Sequence, residues 1–129
     1  MSVLLDSSAL LARLLNEPGQ DLVAEAIASD AVMSSVNLAE VMTILVRDGV
    51  SPKDAELALA RLPVTIHAFD EALARQAGAM FVVTRKFGLS LGDRACLALA
   101  QREKLLVLTA DRAWAQAAPL VGVTVKLIR

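Results

Sequence analysis

The stretch GLSLGDRACLALAQREKLLVLTAD, residues 88–111, decides the fold class of this chain. Its run ACLALA is apolar on every side, so we expect a helix that lies inside the protein. The run LLVL that follows is short and apolar, which is typical of a buried parallel strand. A carboxylate stands beside each of these elements, because Asp93 opens the helix and Asp111 follows the strand. The stretch therefore predicts an α/β fold and raises the question of what the two acids do.

The alternation of short apolar strands with helices continues over the rest of the chain. Strands are predicted at residues 2–6, 31–34, 64–67, 105–108 and 123–128. Helices are predicted at residues 7–15, 20–28, 35–47, 52–62 and 70–86, in addition to the ACLALA helix, with a helical turn at 112–116. Strands separated by helices indicate a parallel sheet with helices on both faces. No repeat or linker divides the sequence, so we expect one domain over residues 1–129.

The composition narrows the class of protein. Hydrophobic residues make up 56% of the chain and charged residues 21%, so it can bury a core and is not intrinsically disordered. Thirteen basic residues against fourteen acidic ones leave no basic field, so a nucleic-acid partner would need a local site. The single cysteine, Cys96, cannot form an internal disulfide, which suits a reducing compartment. With no signal peptide and no apolar segment of membrane length, we expect a cytoplasmic protein without a membrane partner.

Two acids are placed by the predicted topology at the same edge of the sheet. Asp6 closes the first strand, and Asp111 follows the fourth strand through Thr109 and Ala110. Ligands of open α/β sheets bind outside the carboxyl ends of the strands, which is where both acids are expected. The alternative for each acid is a helix cap with no further role.

Glu40 and Asp93 have less ordinary surroundings. Glu40 is the only charged residue between Asp30 and Arg47, in a predicted helix that is apolar on nearly every side. A buried carboxylate without a partner costs several kcal/mol, so Glu40 must reach solvent, pair with an arginine or face a cation. Asp93 opens the ACLALA helix, where it either only caps that helix or joins the other three acids in one site.

Four carboxylates gathered at one place would repel one another unless a cation lay between them. Oxygen ligands without histidine or cysteine suit Mg²⁺ or Mn²⁺. Such an ion neutralises phosphate charge and activates water for attack on phosphorus. The four acids therefore favour metal-assisted hydrolysis of a phosphate ester.

Four motifs, in this order, resemble the acidic motifs of the PIN-domain ribonucleases. They are VLLDSSALLA at 3–12, SSVNLAEV at 34–41, LSLGDRACLALA at 89–100 and VLTADRAW at 107–114. The chain length and the GDR element are most similar to the VapC toxins of bacterial type II toxin–antitoxin pairs. The resemblance covers essentially the whole chain and implies a PIN-like three-layer α/β/α fold, with a short parallel sheet flanked by helices.

The resemblance also implies a site and a reaction. It implies that Asp6 and Asp93 bind Mg²⁺ or Mn²⁺, and that Glu40 and Asp111 complete the catalytic set. The implied reaction is hydrolysis of an RNA phosphodiester to a 5′-phosphate and a 3′-hydroxyl. The implied partners are the RNA substrate, a second copy of the chain in a homodimer, and a small cognate antitoxin that inhibits the enzyme.

Four further side chains are expected to assist the acids. The resemblance implies that Ser7 and Thr109 orient the site through hydroxyl hydrogen bonds. Arg94 and Arg112 each follow a site acid directly, so we expect contact with substrate phosphate. The alternative for each arginine is a salt bridge that orients a neighbouring carboxylate.

Two other functions stay open at this point. A phosphoacceptor signalling domain also joins a parallel sheet to an acidic Mg²⁺ site, but it needs adjacent acids after the first strand, and here Ser7 and Ser8 follow Asp6. It also needs a lysine after the last strand, and none is evident. A non-catalytic RNA- or protein-binding domain of the same fold is the other alternative, and the presence of all four acids argues against it.

Overall fold

A computed structural model describes all 129 residues, which form five strands, eight α-helices and two short 3₁₀ segments. The longest helices have 13 residues, and no helix is long and apolar enough to cross a membrane. The strands are β1 (Val3–Leu5), β2 (Ala31–Ser34), β3 (Val64–His67), β4 (Leu106–Thr109) and β5 (Val125–Leu127). The helices are α1 (Ser7–Leu14), α2 (Gln20–Ser29), α3 (Ser35–Arg47), α4 (Pro52–Ala60), α5 (Glu71–Ala79), α6 (Phe81–Thr84), α7 (Leu91–Glu103) and α8 (Trp114–Ala117). The 3₁₀ segments are Arg85–Phe87 and Ala118–Val121.

The strands form one sheet in the order β3-β2-β1-β4-β5, and every pairing is parallel. Leu4 of the central strand β1 is paired with Val32 of β2 on one side and with Val107 of β4 on the other. The chain adds β2 and β3 on one side of β1 and then β4 and β5 on the other. The order of the strands therefore reverses beside β1, and the crevice outside the carboxyl ends at such a reversal is where open α/β sheets bind ligands.

Helices cover both faces of the sheet and make three layers. Side chains alternate between the faces along each strand. Leu4 of β1 therefore lies in a core shared with α5, α7 and α8, whereas Leu5 lies in a core shared with α1, α2, α3 and α4. This arrangement confirms the three-layer α/β/α fold and the short parallel sheet expected from the sequence.

The ACLALA helix is buried, as the opening stretch predicts. All six of its residues, 95–100, are buried in α7. The helix starts with a capping box, in which the Ser90 hydroxyl accepts from the Asp93 backbone N–H at 3.2 Å. In return, the Ser90 N–H donates to the Asp93 carboxylate at 2.8 Å. Asp93 therefore does serve as a capping residue of its own helix.

The predicted single helix over residues 70–86 is wrong. The chain forms α5, α6 and a 3₁₀ segment there, with Met80 between the two helices. Three β-branched residues in succession, Val82, Val83 and Thr84, lower the helix propensity after Met80. The Thr84 hydroxyl also donates to the Met80 carbonyl at 2.8 Å, a side-chain bond of the kind that bends helices. The other predicted elements are present, with ends that differ by at most two residues.

Candidate active site

The fold brings the four predicted acids to one edge of the sheet from four separate segments. Asp6 follows β1 and Asp111 follows β4, and these strands are neighbours in the sheet. Glu40 lies in the second turn of α3, which begins directly after β2, and Asp93 lies in the first turn of α7. Asp93 is close enough to the other three for their charges to influence one another.

Asp6 is almost fully buried and accepts three hydrogen bonds. The Thr109 hydroxyl donates to it at 2.6 Å, the Ser8 hydroxyl at 2.7 Å and the Ala9 backbone N–H at 2.8 Å. Burial raises the pKa of the Asp6 carboxyl to about 6 because it removes water from the charged form. The three hydrogen bonds lower this pKa in part, and the charge of Asp93 raises it further.

The same two hydroxyl groups tie the β1–α1 junction to the β4–α8 junction. The Thr109 hydroxyl oxygen accepts from the Asp111 backbone N–H at 3.0 Å while it donates to Asp6. The Ser8 hydroxyl oxygen likewise accepts from the Ala110 N–H at 2.9 Å. Each hydroxyl therefore donates to the Asp6 carboxylate and holds the loop that carries Asp111.

Glu40 is held on α3 by two donors and by a close backbone approach. Its Oε1 atom accepts from the Ser7 hydroxyl and, at 2.8 Å, from the side-chain amide of Asn37. Its carboxylate lies against Gly92 of α7, where a Cβ atom would overlap it. No arginine pairs with Glu40, so that alternative from the sequence is wrong.

Asp93 and Asp111 are the other two acids at this edge of the sheet. Asp93 is half-buried, and burial raises the pKa of its carboxyl. The Ser90 hydrogen bonds lower this pKa in part, and the charges of Asp111 and Glu40 raise it further. Asp111 is exposed, and its Oδ1 atom accepts from the Ala113 N–H at 3.0 Å. Burial is the main cause of the raised pKa of Asp93, and the neighbouring negative charges add to it.

No basic side chain compensates this charge. None of the five ion pairs in the structure includes any of the four acids. Arg94 turns away from them, since its Nη1 atom donates to the Ala77 carbonyl at 3.0 Å and its guanidinium lies 5.4 Å from the ring centroid of Phe81. Arg112 is exposed. The salt bridges considered as alternatives for these two arginines are therefore not formed.

The donor set fits a hard divalent cation in charge and in ligand type, because it is uncompensated and offers only oxygen. The oxygens do not, however, converge into a coordination cage. No group of three or more His, Cys, Asp or Glu side chains is arranged to hold a metal ion. Three acids instead bond to backbone N–H groups of their own turns: Asp6 to Ala9, Asp93 to Ser90 and Asp111 to Ala113. Binding of an ion by several of them would require side-chain rotation.

Three residues of this edge were not among the predicted site residues: Ser8, Asn37 and Gly92. Asn37 had a signal in the sequence, because it precedes Glu40 by three residues and so shares its helix face. Gly92 had another, because a glycine inside a helical pattern often marks a close approach. Ser8 had none that distinguishes it from Ser7.

The fold and the site define a class of protein, namely a parallel α/β protein with uncompensated carboxylates at the point where the strand order of its sheet reverses. The chain belongs to the PIN-domain family, because the family model described as PIN domain matches residues 3–119. The search of curated proteins gives no match.

Several solved structures share the fold over nearly the whole chain. The DNA-bound VapBC complex of Salmonella typhimurium is 15% identical, with a TM-score of 0.79 over 100% of this chain and 99% of that one. VapC20 of Mycobacterium tuberculosis, described as a toxin that cleaves the Sarcin-Ricin loop, is 20% identical, with a TM-score of 0.75 over 90% and 95%. FitAcB of Neisseria gonorrhoeae is 24% identical, with a TM-score of 0.69 over 95% of each chain. At these identities the similarity establishes the fold alone.

Proposed function

We propose that this protein is a divalent-metal-dependent endoribonuclease that acts as the VapC-type toxin of a type II toxin–antitoxin pair. It hydrolyses an RNA phosphodiester and leaves a 5′-phosphate and a 3′-hydroxyl. The observation that carries the proposal is the cluster of four acids at the strand reversal, which no basic side chain compensates. Membership of the PIN-domain family supports it, as do the similar folds of VapBC complexes and of a VapC toxin that cleaves the Sarcin-Ricin loop.

The roles of the acids follow from their environments. Asp6 and Asp93 would hold Mg²⁺ or Mn²⁺, with Glu40 and Asp111 completing the site. A divalent ion at such a site neutralises phosphate charge and makes water more acidic. Three donors contact Asp6, and the Ser8 hydroxyl reaches both of its oxygens, so a cation would bind there in place of one of these contacts.

Four other side chains support these acids in the proposed reaction. Thr109 orients Asp6, and Ser7 orients Glu40, through the hydroxyl hydrogen bonds described above. Arg112 is exposed beside Asp111 and contacts a phosphate of the bound RNA. Arg94 makes such a contact only after its hydrogen bond to the Ala77 carbonyl breaks.

Two apolar surfaces suit the two proposed protein partners, which the chain meets in the cytoplasm. A groove of about 320 Å³ between α3, α4 and β3 has eight hydrophobic residues among its nine. A concave groove accepts a narrow peptide segment, so we assign it to the antitoxin. The second surface, the α6 patch, consists of Phe81, Val82, Val83 and Leu120, which are all exposed. We assign the α6 patch to a second copy of the chain, because an isologous dimer needs one self-complementary face.

The test is an RNA cleavage assay with Mg²⁺, with Mn²⁺ and with a chelator, in which the product ends are mapped. We expect cleavage only with a divalent ion, and loss of cleavage in both Asp6→Asn and Asp93→Asn while the melting temperature is retained. Asp54→Asn is the matched control, because Asp54 also stands three residues after an N-cap serine but on α4. Cleavage in chelator, or full activity of Asp93→Asn, would contradict the proposal. RNA binding without any cleavage would indicate the non-catalytic alternative instead.

A further inference from the structure

We propose that Asn37 is a positioning residue that holds Glu40 in the acidic site by tying the first turn of α3 to the first turn of α7. The inference rests on the proposed metal-dependent function and adds a residue to it. Asn37 touches neither substrate nor metal in this proposal, and it acts only through Glu40.

The contacts of Asn37 join two distant parts of the site. Its Nδ2 atom donates to Glu40 Oε1 at 2.8 Å and to the Gly92 carbonyl at 3.1 Å. Gly92 directly precedes Asp93, so one amide group bonds a site carboxylate and the backbone beside another. The side chain is 1% exposed, so water does not compete for these bonds.

The orientation of the amide is determined by its neighbours. Nδ2 has three partners: Glu40 Oε1, the Gly92 carbonyl oxygen and, at 3.3 Å, the Ser7 hydroxyl. The first two can only accept, so a flipped amide would place Oδ1 against two oxygens. In the orientation with Nδ2 donating, Oδ1 is buried and has no hydrogen-bond partner. A buried acceptor without a partner lowers stability. What the amide contributes is therefore its Nδ2 donor, which bonds Glu40 and Gly92, because its oxygen makes no hydrogen bond in return.

The packing around Glu40 is also adapted to its carboxylate. A Cβ atom at Gly92 would overlap the carboxylate, so the absence of a side chain there makes room for it. Asn37 and Ser7 both donate to Oε1 on one side, and Gly92 lies on the other. Glu40 is therefore restricted to one position, and Asn37 is the contact that links this position to α7.

The main experiment is a double-mutant cycle on Mn²⁺ binding. Isothermal titration calorimetry measures the Mn²⁺ dissociation constant of wild type, Asn37→Leu, Glu40→Gln and the double variant, and thermal unfolding without metal is recorded in parallel. In this inference Glu40 faces the ion held by Asp6 and Asp93. We therefore expect Asn37→Leu to raise the dissociation constant by roughly 10–100-fold, the effect typical of residues that support the carboxylates of a metal site. In the Glu40→Gln background the same substitution should change it by less than about twofold, because a residue that acts through Glu40 has nothing left to position.

Two controls separate positioning from packing. Thr84→Val removes the hydrogen bond of an equally buried residue on α6, and it should lower the melting temperature without changing Mn²⁺ affinity. Gly92→Ala should weaken Mn²⁺ binding because the added Cβ displaces Glu40. Gly78→Ala is its matched control and should leave Mn²⁺ binding unchanged, because Gly78 is a helical glycine with open space around it.

The outcomes are distinct for this inference and for the proposed function. Unchanged Mn²⁺ affinity in folded Asn37→Leu overturns the inference and leaves the proposed function standing. An equal effect of Asn37→Leu in both backgrounds also overturns it, since that is the result of a purely structural role. Wild-type protein that neither binds Mn²⁺ nor cleaves RNA overturns the proposed function and this inference with it. If Asn37→Leu does not fold, Asn37→Ala takes its place in the same cycle.

Discussion

Asp6 shows how opposing effects act on a single buried carboxylate. Three hydrogen bonds favour its charged form, while the loss of water and the charge of Asp93 favour its neutral form. Burial is the largest effect, so the pKa rises from the ordinary value of 3.8 to about 6. A metal ligand must be deprotonated. The fold thus holds Asp6 in a state where a neighbouring cation would be favourable.

This shift predicts how stability depends on pH. Between pH values of about 4 and about 6 the folded protein keeps a proton on Asp6 that the unfolded chain releases, so the free energy of unfolding falls as pH rises through this window. The proton that folded Asp6 keeps contributes on the order of 3 kcal/mol to the free energy of unfolding. This contribution is present below a pH of about 4 and lost above a pH of about 6. Asp6→Asn carries no such charge, so its stability relative to wild type should rise by this amount between pH 4 and pH 7.

Urea unfolding of wild type and Asp6→Asn at pH 4, 5.5 and 7, in chelator, measures this directly. The difference in unfolding free energy between the two proteins should change across the series, in favour of the variant at the highest pH. A difference that stays constant with pH would mean that Asp6 has an ordinary pKa.

At the scale of the element, helix N-termini position two of the four acids. Asp6 caps α1, and the turn that carries Asp93 is a capping box at the start of α7. Caps place an acid at a defined point relative to the helix axis, and here that point is the carboxyl edge of the sheet. The same caps occupy carboxylate oxygens, which explains why the acids are neighbours without forming a metal cage.

The α7 cap predicts a difference between two otherwise similar serines. Ser90→Ala and Ser51→Ala each remove a side-chain cap, which accepts at 3.2 Å and 3.1 Å respectively, and each should lower the free energy of unfolding by about 1 kcal/mol. RNA cleavage should fall several-fold only in Ser90→Ala, because α7 carries an acid of the proposed site and α4 does not. Chemical unfolding and initial cleavage rates measure the two effects. Equal cleavage by both variants would mean that the cap does not help to place Asp93.

At the scale of the whole molecule, the two apolar surfaces that we assign to protein partners lie far apart in the fold. Val82 in the α6 patch is 78% exposed, which is unusual for a large aliphatic side chain in a helix. The groove between α3, α4 and β3 lies on the opposite layer of helices. Under the proposed assignments, one molecule would bind a second copy and an antitoxin at once.

This division predicts which substitution changes the oligomeric state. Val82→Glu should weaken self-association by about tenfold or more, because an isologous contact places two new carboxylates in one interface. Leu57→Glu, at an exposed leucine of α4, should leave self-association unchanged. Size-exclusion chromatography with light scattering over a range of concentrations compares them. Dimers that persist in Val82→Glu and dissociate in Leu57→Glu would assign the self-association surface to the other layer.

Much of the fold was predictable because it is local. The predicted bounds of α3 and β3 agree with the structure at both ends, since each element has its own periodic pattern and its own turn residues. The alternation of strands and helices was enough to predict a parallel three-layer arrangement. The helix predicted over residues 70–86 was wrong because the apolar pattern continues past Met80 while the β-branched residues that follow lower helix propensity.

By itself, the sequence determined most of the elements and the places in them where the four acids stand, because capping and periodicity are properties of neighbouring residues. Only the tertiary structure decided where the side chains point. Asn37 meets Gly92 across 55 positions of sequence, and Arg94 turns to Ala77 and Phe81 rather than to a carboxylate. These contacts depend on how α3, α5 and α7 pack against one another, and no local pattern records the distance between two helices.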